Sequence, residues 1–430
     1  MDRRHFLAFA IAALARSATA QSPPEPTPAQ RLGVVGDAYF IDWFNAFYPE
    51  ALAAGTPRTV VDAALAGLSP DPRVLALDTR QPEFARPVSD YLRGAVNDER
   101  IAIGREKRTA IPELETIEQV WGVPREILIA VWAMESRFGA QMGGMDIVRC
   151  LATLAALGRR RSWAEGELKA ALTILARGDA PRERLIGSWA GAMGQTQMLP
   201  STYLSSAADG DGDGRRDIWG SAPDALASAA NLLAKDGWRR DEDWAREVIL
   251  PDGFDFGLSE GPAETPASWA AKGAARADGA AWGAADLAAP CILLLPAGAA
   301  GPAFLALPNH FVIRRYNNSL AYALAVGLLA DRFAGAPPLV RPWPRETALS
   351  LDDRLAAQTA LIRLGYNPGQ ADGVIGLSTR QALRAWQKSQ GLPADGYLSA
   401  DMAARLKAAA GADAATAPAA ASSPQTLTPS

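Results

Sequence analysis

The sequence predicts a mainly α-helical protein, interrupted by one small irregular or β subdomain and followed by a separate compact segment. Three observations lead there. Apolar residues recur with a helical period from Phe40 to Gly67, from Pro112 to Leu175, and again from Ser319 to about Phe333. Residues 239–310 lose that period. Gly, Pro, Ala and the spaced Trp244, Trp269 and Trp282 replace it, and Ile292-Leu293-Leu294-Leu295 is a short apolar run. Gly335-Ala336-Pro337-Pro338, with Pro342 and Pro344, then stiffens and separates the chain before residues 349–408. With 430 residues and 49% apolar content, there is material for a large core and a second domain.

Residues 1–20 read as a secretory signal. Arg3 and Arg4 give a charged start, Phe6 to Leu14 is apolar, and Ala18-Thr19-Ala20 is a small-residue cleavage site. Asp2-Arg3-Arg4-His5-Phe6-Leu7 resembles the twin-arginine export signal. The apolar stretch is too short for a permanent membrane span, and no cysteine follows the cleavage site to carry a lipid. The expected product is a soluble protein of the periplasm. Residues 21–30 are rich in Pro and Gln and predict a flexible leader. The main domain then runs over 21–336, a Pro-rich linker over 337–348 and the compact segment over 349–408. Residues 409–430 form an Ala, Ser, Thr and Pro tail expected to be disordered.

Composition removes several function classes. The formal charge is −4, and −6 once residues 1–20 leave, which argues against nucleic acid as the partner. Cys150 and Cys291 are the only cysteines and make no disulfide framework. Cys150 sits in an apolar helical run and reads as a buried thiol, with a bridge to Cys291 as the alternative. His5 leaves with the signal, so His310 stands alone. Histidine-rich zinc sites are excluded, and no nucleophile-elbow motif accompanies His310. Asn309 and Phe311-Val312-Ile313 read as the start of a strand. Chemistry here must run on carboxylates, amides and hydroxyls.

The run Ile127-Leu128-Ile129-Ala130-Val131-Trp132-Ala133-Met134 is uncharged and ends in Glu135. Pro124 fits the first turn of a helix and Gly139 its stop. Ile127, Val131, Met134 and Phe138 share one face, and Leu128, Trp132 and Glu135 another, so the helix is apolar nearly all round and buried. Burial disfavours the charged carboxylate and raises its pKa, as a general acid at neutral pH requires. A helix-end Glu paired with an arginine is the other reading of the same pattern. In Gly187–Ser201, small residues at 187, 190, 191, 192 and 194 allow close backbone approach, and Gln195 and Gln197 offer neutral donors and acceptors. That composition suits a sugar, and equally a tight helix-packing loop. Asp209, Asp211, Asp213 and Asp217 stand at positions 1, 3, 5 and 9 of a Gly-rich loop, with Gly214 at 6 and the Arg215 carbonyl at 7. That spacing gathers oxygen ligands round a hard cation such as calcium, although position 12 is Gly220 rather than Glu. An Asp/Gly turn held by its own side chains is the alternative.

Trp132-Ala133-Met134-Glu135-Ser136-Arg137-Phe138-Gly139, the Gly187–Ser201 segment and Arg315-Tyr316-Asn317-Asn318-Ser319 together resemble the lytic murein transglycosylases of the membrane-bound B type. Gln81-Pro82-Glu83-Phe84, Arg159-Arg160 and Glu167-Leu168 match as well, in the family's order from about 40 to 333. Trp163-Ala164 stands where the family often has paired Phe, and Met198-Leu199 where it often has Phe-Met. Residues 349–408 resemble the common peptidoglycan-binding domain, through Gln358, Leu361, Leu364-Gly365-Tyr366, Asp372-Gly373, Trp386-Gln387, Asp395-Gly396 and Leu406.

The resemblance implies a lysozyme-like catalytic domain, a three-helix wall-binding module and peptidoglycan glycan strands as the partner. It implies that Glu135 alone acts as acid and then base on a MurNAc–GlcNAc bond, giving a 1,6-anhydromuramoyl end with no catalytic cofactor. It places Ser188, Gln197, Tyr316, Asn317, Arg159, Arg160 and, through a looser alignment, Tyr91 along the glycan groove. It adds Asp224 as the ligand replacing the missing Glu of a structural calcium site. A muramidase-type hydrolase and a non-catalytic wall-binding scaffold are the rival functions.

Overall fold

The computed structural model describes residues 25–79, 86–283 and 287–416. The signal segment 1–20, the Gln81–Phe84 motif and the end of the tail lie outside them. Among the described residues, no helix is long and apolar enough to cross a membrane.

The described residues are mainly helical, with one four-stranded sheet and a two-stranded pairing of Met145–Asp146 with Ile186–Gly187. The principal helices of the first region are α1 (Ala38–Ala53), α2 (Val88–Ala95), α3 (Arg125–Ser136), α4 (Ile147–Leu157), α5 (Arg161–Arg177), α6 (Ala222–Lys235), α7 (Pro308–Tyr316) and α8 (Leu320–Ala334). Helix α3 is the hub. Every residue from Ile127 to Ala133 is buried, α8 packs along it, and α6 covers another side. A helix wrapped this way needs apolar side chains on all faces, as its sequence has. Pro124 caps α3 just before its first turn, and α3 ends at Ser136, three residues short of Gly139. Phe40, Phe44 and Phe47 from α1 join the same core.

The 239–310 stretch holds strands β1 (Ala245–Ile249), β2 (Ala275–Arg276), β3 (Ile292–Leu294) and β4 (Ala303–Ala306). They form an antiparallel sheet in the order β2-β1-β4-β3, with Val248 opposite both Arg276 and Ala303, and Leu293 opposite Leu305. Val248, Trp269, Leu293 and Leu305 form its own small core. The three-helix module is α9 (Leu351–Arg363), α10 (Leu377–Ser389) and α11 (Ala400–Thr416) around Leu361, Leu383, Trp386 and Leu406. Two buried glutamines clasp its Asp-Gly turns in the same way. The Gln358 carbonyl accepts from Gly373 N at 2.7 Å, and the Gln387 carbonyl from Gly396 N at 2.8 Å.

Three expectations are corrected. Residues 308–316 form a helix, not a strand start. Pro308 opens its first turn, and buried Asn309 anchors it by accepting from Arg239 N (2.8 Å) and donating to the carbonyls of Arg239 (2.9 Å) and Glu242 (2.7 Å). The leader contains a helical turn, Pro28–Arg31, closed by a Thr27/Gln30 capping box with Ala29 in the core. Helix α11 runs on to Thr416, into the tail, because its alanines are the strongest helix formers. The stiff linker is also strapped down. Glu247 accepts from Val340 N and Arg341 N at 2.9 Å each, and Trp343 stacks on Phe304 with centroids 6.1 Å apart. The module itself docks: Glu260 takes Arg380 at 2.8 Å and Arg384 at 2.6 Å, and Asp395 accepts from Ala299 N at 2.9 Å. Cys150 and Cys291 are both buried and unbridged, and burial pushes each thiol up to about 12.

Candidate active site

Glu135 sits in the last turn of α3, part-buried. The Tyr322 hydroxyl, on the first turn of α8, donates to its Oε1 at 2.6 Å. Loss of water raises the Glu135 pKa from 4.5 to about 7, and the Tyr322 bond offsets part of that rise. Among the described residues, no cation and no second carboxylate enters the shift. The arginine-paired reading of this Glu is therefore not what the fold builds. Tyr316 and Tyr322 lie beside it. Burial first, and then the Glu135 charge, hold the Tyr316 and Tyr322 hydroxyls protonated. Tyr91, on α2, is close enough to act on Tyr322.

Beyond Glu135 the chain makes an unusual turn. Arg137 (φ 50°), Phe138 (φ 58°) and Gly139 (φ 84°) are all left-handed. Two non-glycine residues in that region cost of order 1–3 kcal/mol each and persist only where neighbours fix them. The neighbour is the Gly187–Ser201 loop. Its first part is a miniature antiparallel ladder: Gly187 lies opposite Met145 and Met193, and Met193 opposite Met198. A Cβ on Gly187 would meet the Ala192 carbonyl oxygen at 2.0 Å, which explains glycine there. The loop is then stitched to three elements. Ser136 Oγ donates to Gln195 O at 2.5 Å, Tyr316 OH to Thr196 O at 2.5 Å, and Gln197 Nε2 to Met142 O at 2.9 Å. Buried Glu167 ends it, accepting from Ser201 N (2.9 Å) and Ser201 Oγ (2.7 Å).

The other expected glycan residues divide. Ser188 Oγ accepts from Ala192 N at 3.1 Å, inside the loop. Asn317 caps the end of α7 and is exposed. Arg159 pairs with Asp78 at 3.4 Å, and the Arg160 guanidinium lies 4.2 Å above the Trp163 ring. Neither arginine bonds to Glu135. Tyr322 and Ser136 escaped the sequence reading. Tyr322 carries the one hydroxyl in the otherwise aliphatic run to Ala330, which is the signal that was available.

The acidic loop brings four carboxylates together. One oxygen from each of Asp209, Asp211, Asp213 and Asp224 lies within 4.8 Å of the others. Asp224 reaches in from the first turn of α6. Asp217 is not among them. Its carboxylate accepts from Trp219 N and Gly220 N and pairs with Arg184 at 2.6 Å. The Arg215 backbone N–H donates to Asp213 Oδ1 at 2.8 Å.

A family model described as the transglycosylase SLT domain matches residues 39–331. The chain belongs to that family. A second model, the putative peptidoglycan binding domain, matches residues 350–406. Membrane-bound lytic murein transglycosylase B of Escherichia coli K12 is 34% identical over 217 residues, half of this chain; the chain spans 58% of that relative's length. SltB3 of Pseudomonas aeruginosa, solved with NAG-anhNAM-pentapeptide, is 45% identical with TM-score 0.82, covering 86% of this SLT-family chain and all of its own. The E. coli transglycosylase SLT35, solved in complex with calcium, is 28% identical with TM-score 0.59, over 70% of this chain and 95% of its own.

Proposed function

We propose that this chain cleaves the MurNAc–GlcNAc β-1,4 bond of peptidoglycan without water, in the periplasm, leaving 1,6-anhydromuramoyl ends. The observation that carries the reading is Glu135: one carboxyl, its pKa brought near neutrality by burial, served by a neutral donor, with no second acid among the described residues contributing to its environment. Ordinary glycosidases use two carboxylates flanking the bond. One suffices if the substrate supplies its own nucleophile. Protonated Glu135 gives its proton to the glycosidic oxygen, and the bond from C1 to that oxygen breaks. The muramic N-acetyl group shares the positive charge. The ionised Glu135 then takes the proton of the C6 hydroxyl, whose oxygen closes on C1. Glu135 ends protonated, ready for the next bond. A nucleophile already within the sugar has the proximity advantage, several kcal/mol in principle. A pKa of about 7 lets the same group give and take a proton at neutral pH.

Ser188, Asn317, Arg159, Arg160 and Tyr91 are assigned to the glycan groove. Gln197 and Tyr316 shape it chiefly by holding the loop, since their donors serve backbone carbonyls. The four gathered aspartates offer only hard oxygen donors, which fits a structural calcium ion. Asp209, Asp211, Asp213 and Asp224 would hold it, tying the loop to α6. The docked module is assigned to binding the same polymer.

Digestion of purified sacculi followed by mass spectrometry tests the reading. Anhydro ends are expected from the wild type and none from Glu135→Gln. Reducing muramic ends would make it a hydrolase, and binding without cleavage a scaffold.

A further inference from the structure

We propose that Ser136 is a positioning residue for this reaction, locking the end of the Glu135 helix to the Gln195–Gln197 loop. The inference rests on Glu135 being the acid and goes beyond it. Ser136 directly follows Glu135, is 1% exposed, and is bonded on both sides. Its hydroxyl donates to Gln195 O at 2.5 Å and accepts from Gly139 N at 2.9 Å. Its own carbonyl accepts from Gln141 N at 2.8 Å. One side chain thus joins the helix end, the left-handed turn and the glycan loop.

No other side chain in this region does this. Gln197 reaches Met142, beyond the turn, and Tyr316 holds the loop from α7. The loop carbonyl and the turn amide both bond to the same buried hydroxyl. Removing the hydroxyl leaves a carbonyl and an amide unsatisfied, and both regain partners only if the turn and loop part. Parting them admits water to Glu135 and frees its rotamer. A misplacement of about 1 Å in a reacting group costs on the order of a hundredfold in rate.

The test compares Ser136→Ala and Ser136→Cys with wild type on a soluble glycan fragment. Ser136→Ala is expected to lower kcat on the order of a hundredfold with KM changed less than threefold. Ser136→Cys, with a weaker donor of similar size, should fall between. The alkaline limb of the kcat/KM profile should move to lower pH in both as Glu135 is hydrated, which a loss of fold alone would not produce. A Ser136→Ala protein that keeps wild-type kcat and profile overturns the proposal. If Ser136→Ala does not fold, Ser136→Cys decides: full activity with an unmoved profile overturns the proposal, and an intermediate kcat supports it. Wild type that forms no anhydro ends sinks the functional reading instead. In that case the pH dependence of stability, with and without Glu135→Gln, still reports whether Ser136 sets the titration of Glu135.

Discussion

The burial that raises the Glu135 pKa should destabilise the fold at alkaline pH, and Glu135→Gln should remove that penalty. The pKa is 4.5 when exposed and about 7 in the fold. Between those values the folded protein keeps the proton that the unfolded chain has lost, so stability falls as pH rises through the window. The full shift is worth roughly 3 kcal/mol, of which about 2.5 kcal/mol develops between about pH 5 and pH 8. Glu135 is only part-buried, so water at its rim brings the expected value to about 1.5–2.5 kcal/mol. Gln has nearly the same shape and still accepts from Tyr322. The assay is urea unfolding of wild type and Glu135→Gln at the two pH values, with calcium held constant, followed by tryptophan fluorescence. Trp386 is the single tryptophan of residues 349–408, so the signal reports chiefly on the region before the linker. Other titrating groups cancel in the double difference. The mutant should gain on wild type at the higher pH. A double difference below about 0.5 kcal/mol, the usual error of additivity, would mean that Glu135 titrates like an exposed Glu, and the acid assignment would lose its physical basis.

Tyr322→Phe removes a donor that favours the ionised carboxylate, so the Glu135 pKa should rise further, by about one unit or more. A pH–rate profile would show the alkaline limb moved up and kcat reduced. If calcium sits on the Asp209–Asp224 cluster, chelation should lower Tm by several degrees, since a ligand at a hundredfold excess over Kd contributes about 2.7 kcal/mol. A Tm indifferent to chelator and to added calcium would refute the site. Glu260→Ala leaves Arg380 and Arg384 unpaired at a half-buried interface, at a cost of about 2 kcal/mol, between exposed and buried pairs. Limited proteolysis should then cut within residues 344–349, and an uncut linker would mean that docking rests elsewhere.

What the sequence revealed was local. The mainly helical class, the small β subdomain and the three-helix module all follow from patterns within one element. The burial of α3 is readable from its own apolar residues. Tyr322 and Ser136 were not readable because their bonds cross 187 and 59 positions of sequence. Asp217 shows the same limit. Spacing placed it in the cation loop, but Arg184, 33 residues away, holds its carboxylate. Phe311-Val312-Ile313 misled by β propensity, which is weaker than the anchoring of Asn309 to Arg239 and Glu242. The leader was misjudged by composition, although Thr27 and Gln30 carried a capping box in plain letters.

One rule accounts for the makeup of the site. A carboxyl raised by burial is spoiled by a nearby cation, which would restore the charged form and lower the pKa. The groups that bond to the acid and to residues 195–197 of its loop should therefore be neutral, and Tyr322, Tyr316, Ser136 and Gln197 are. The nearest cation in sequence is Arg137, two residues on. It is exposed, and its charge acts on Arg100. The left-handed turn that begins at Arg137 thus has an electrostatic consequence as well as a steric one. It ends α3 immediately after the acid and carries the arginine to the surface. The backbone strain of that turn, the neutral ties that hold it and the raised pKa are three parts of one arrangement. Loosening the turn should therefore disturb the titration of Glu135 before it disturbs the fold.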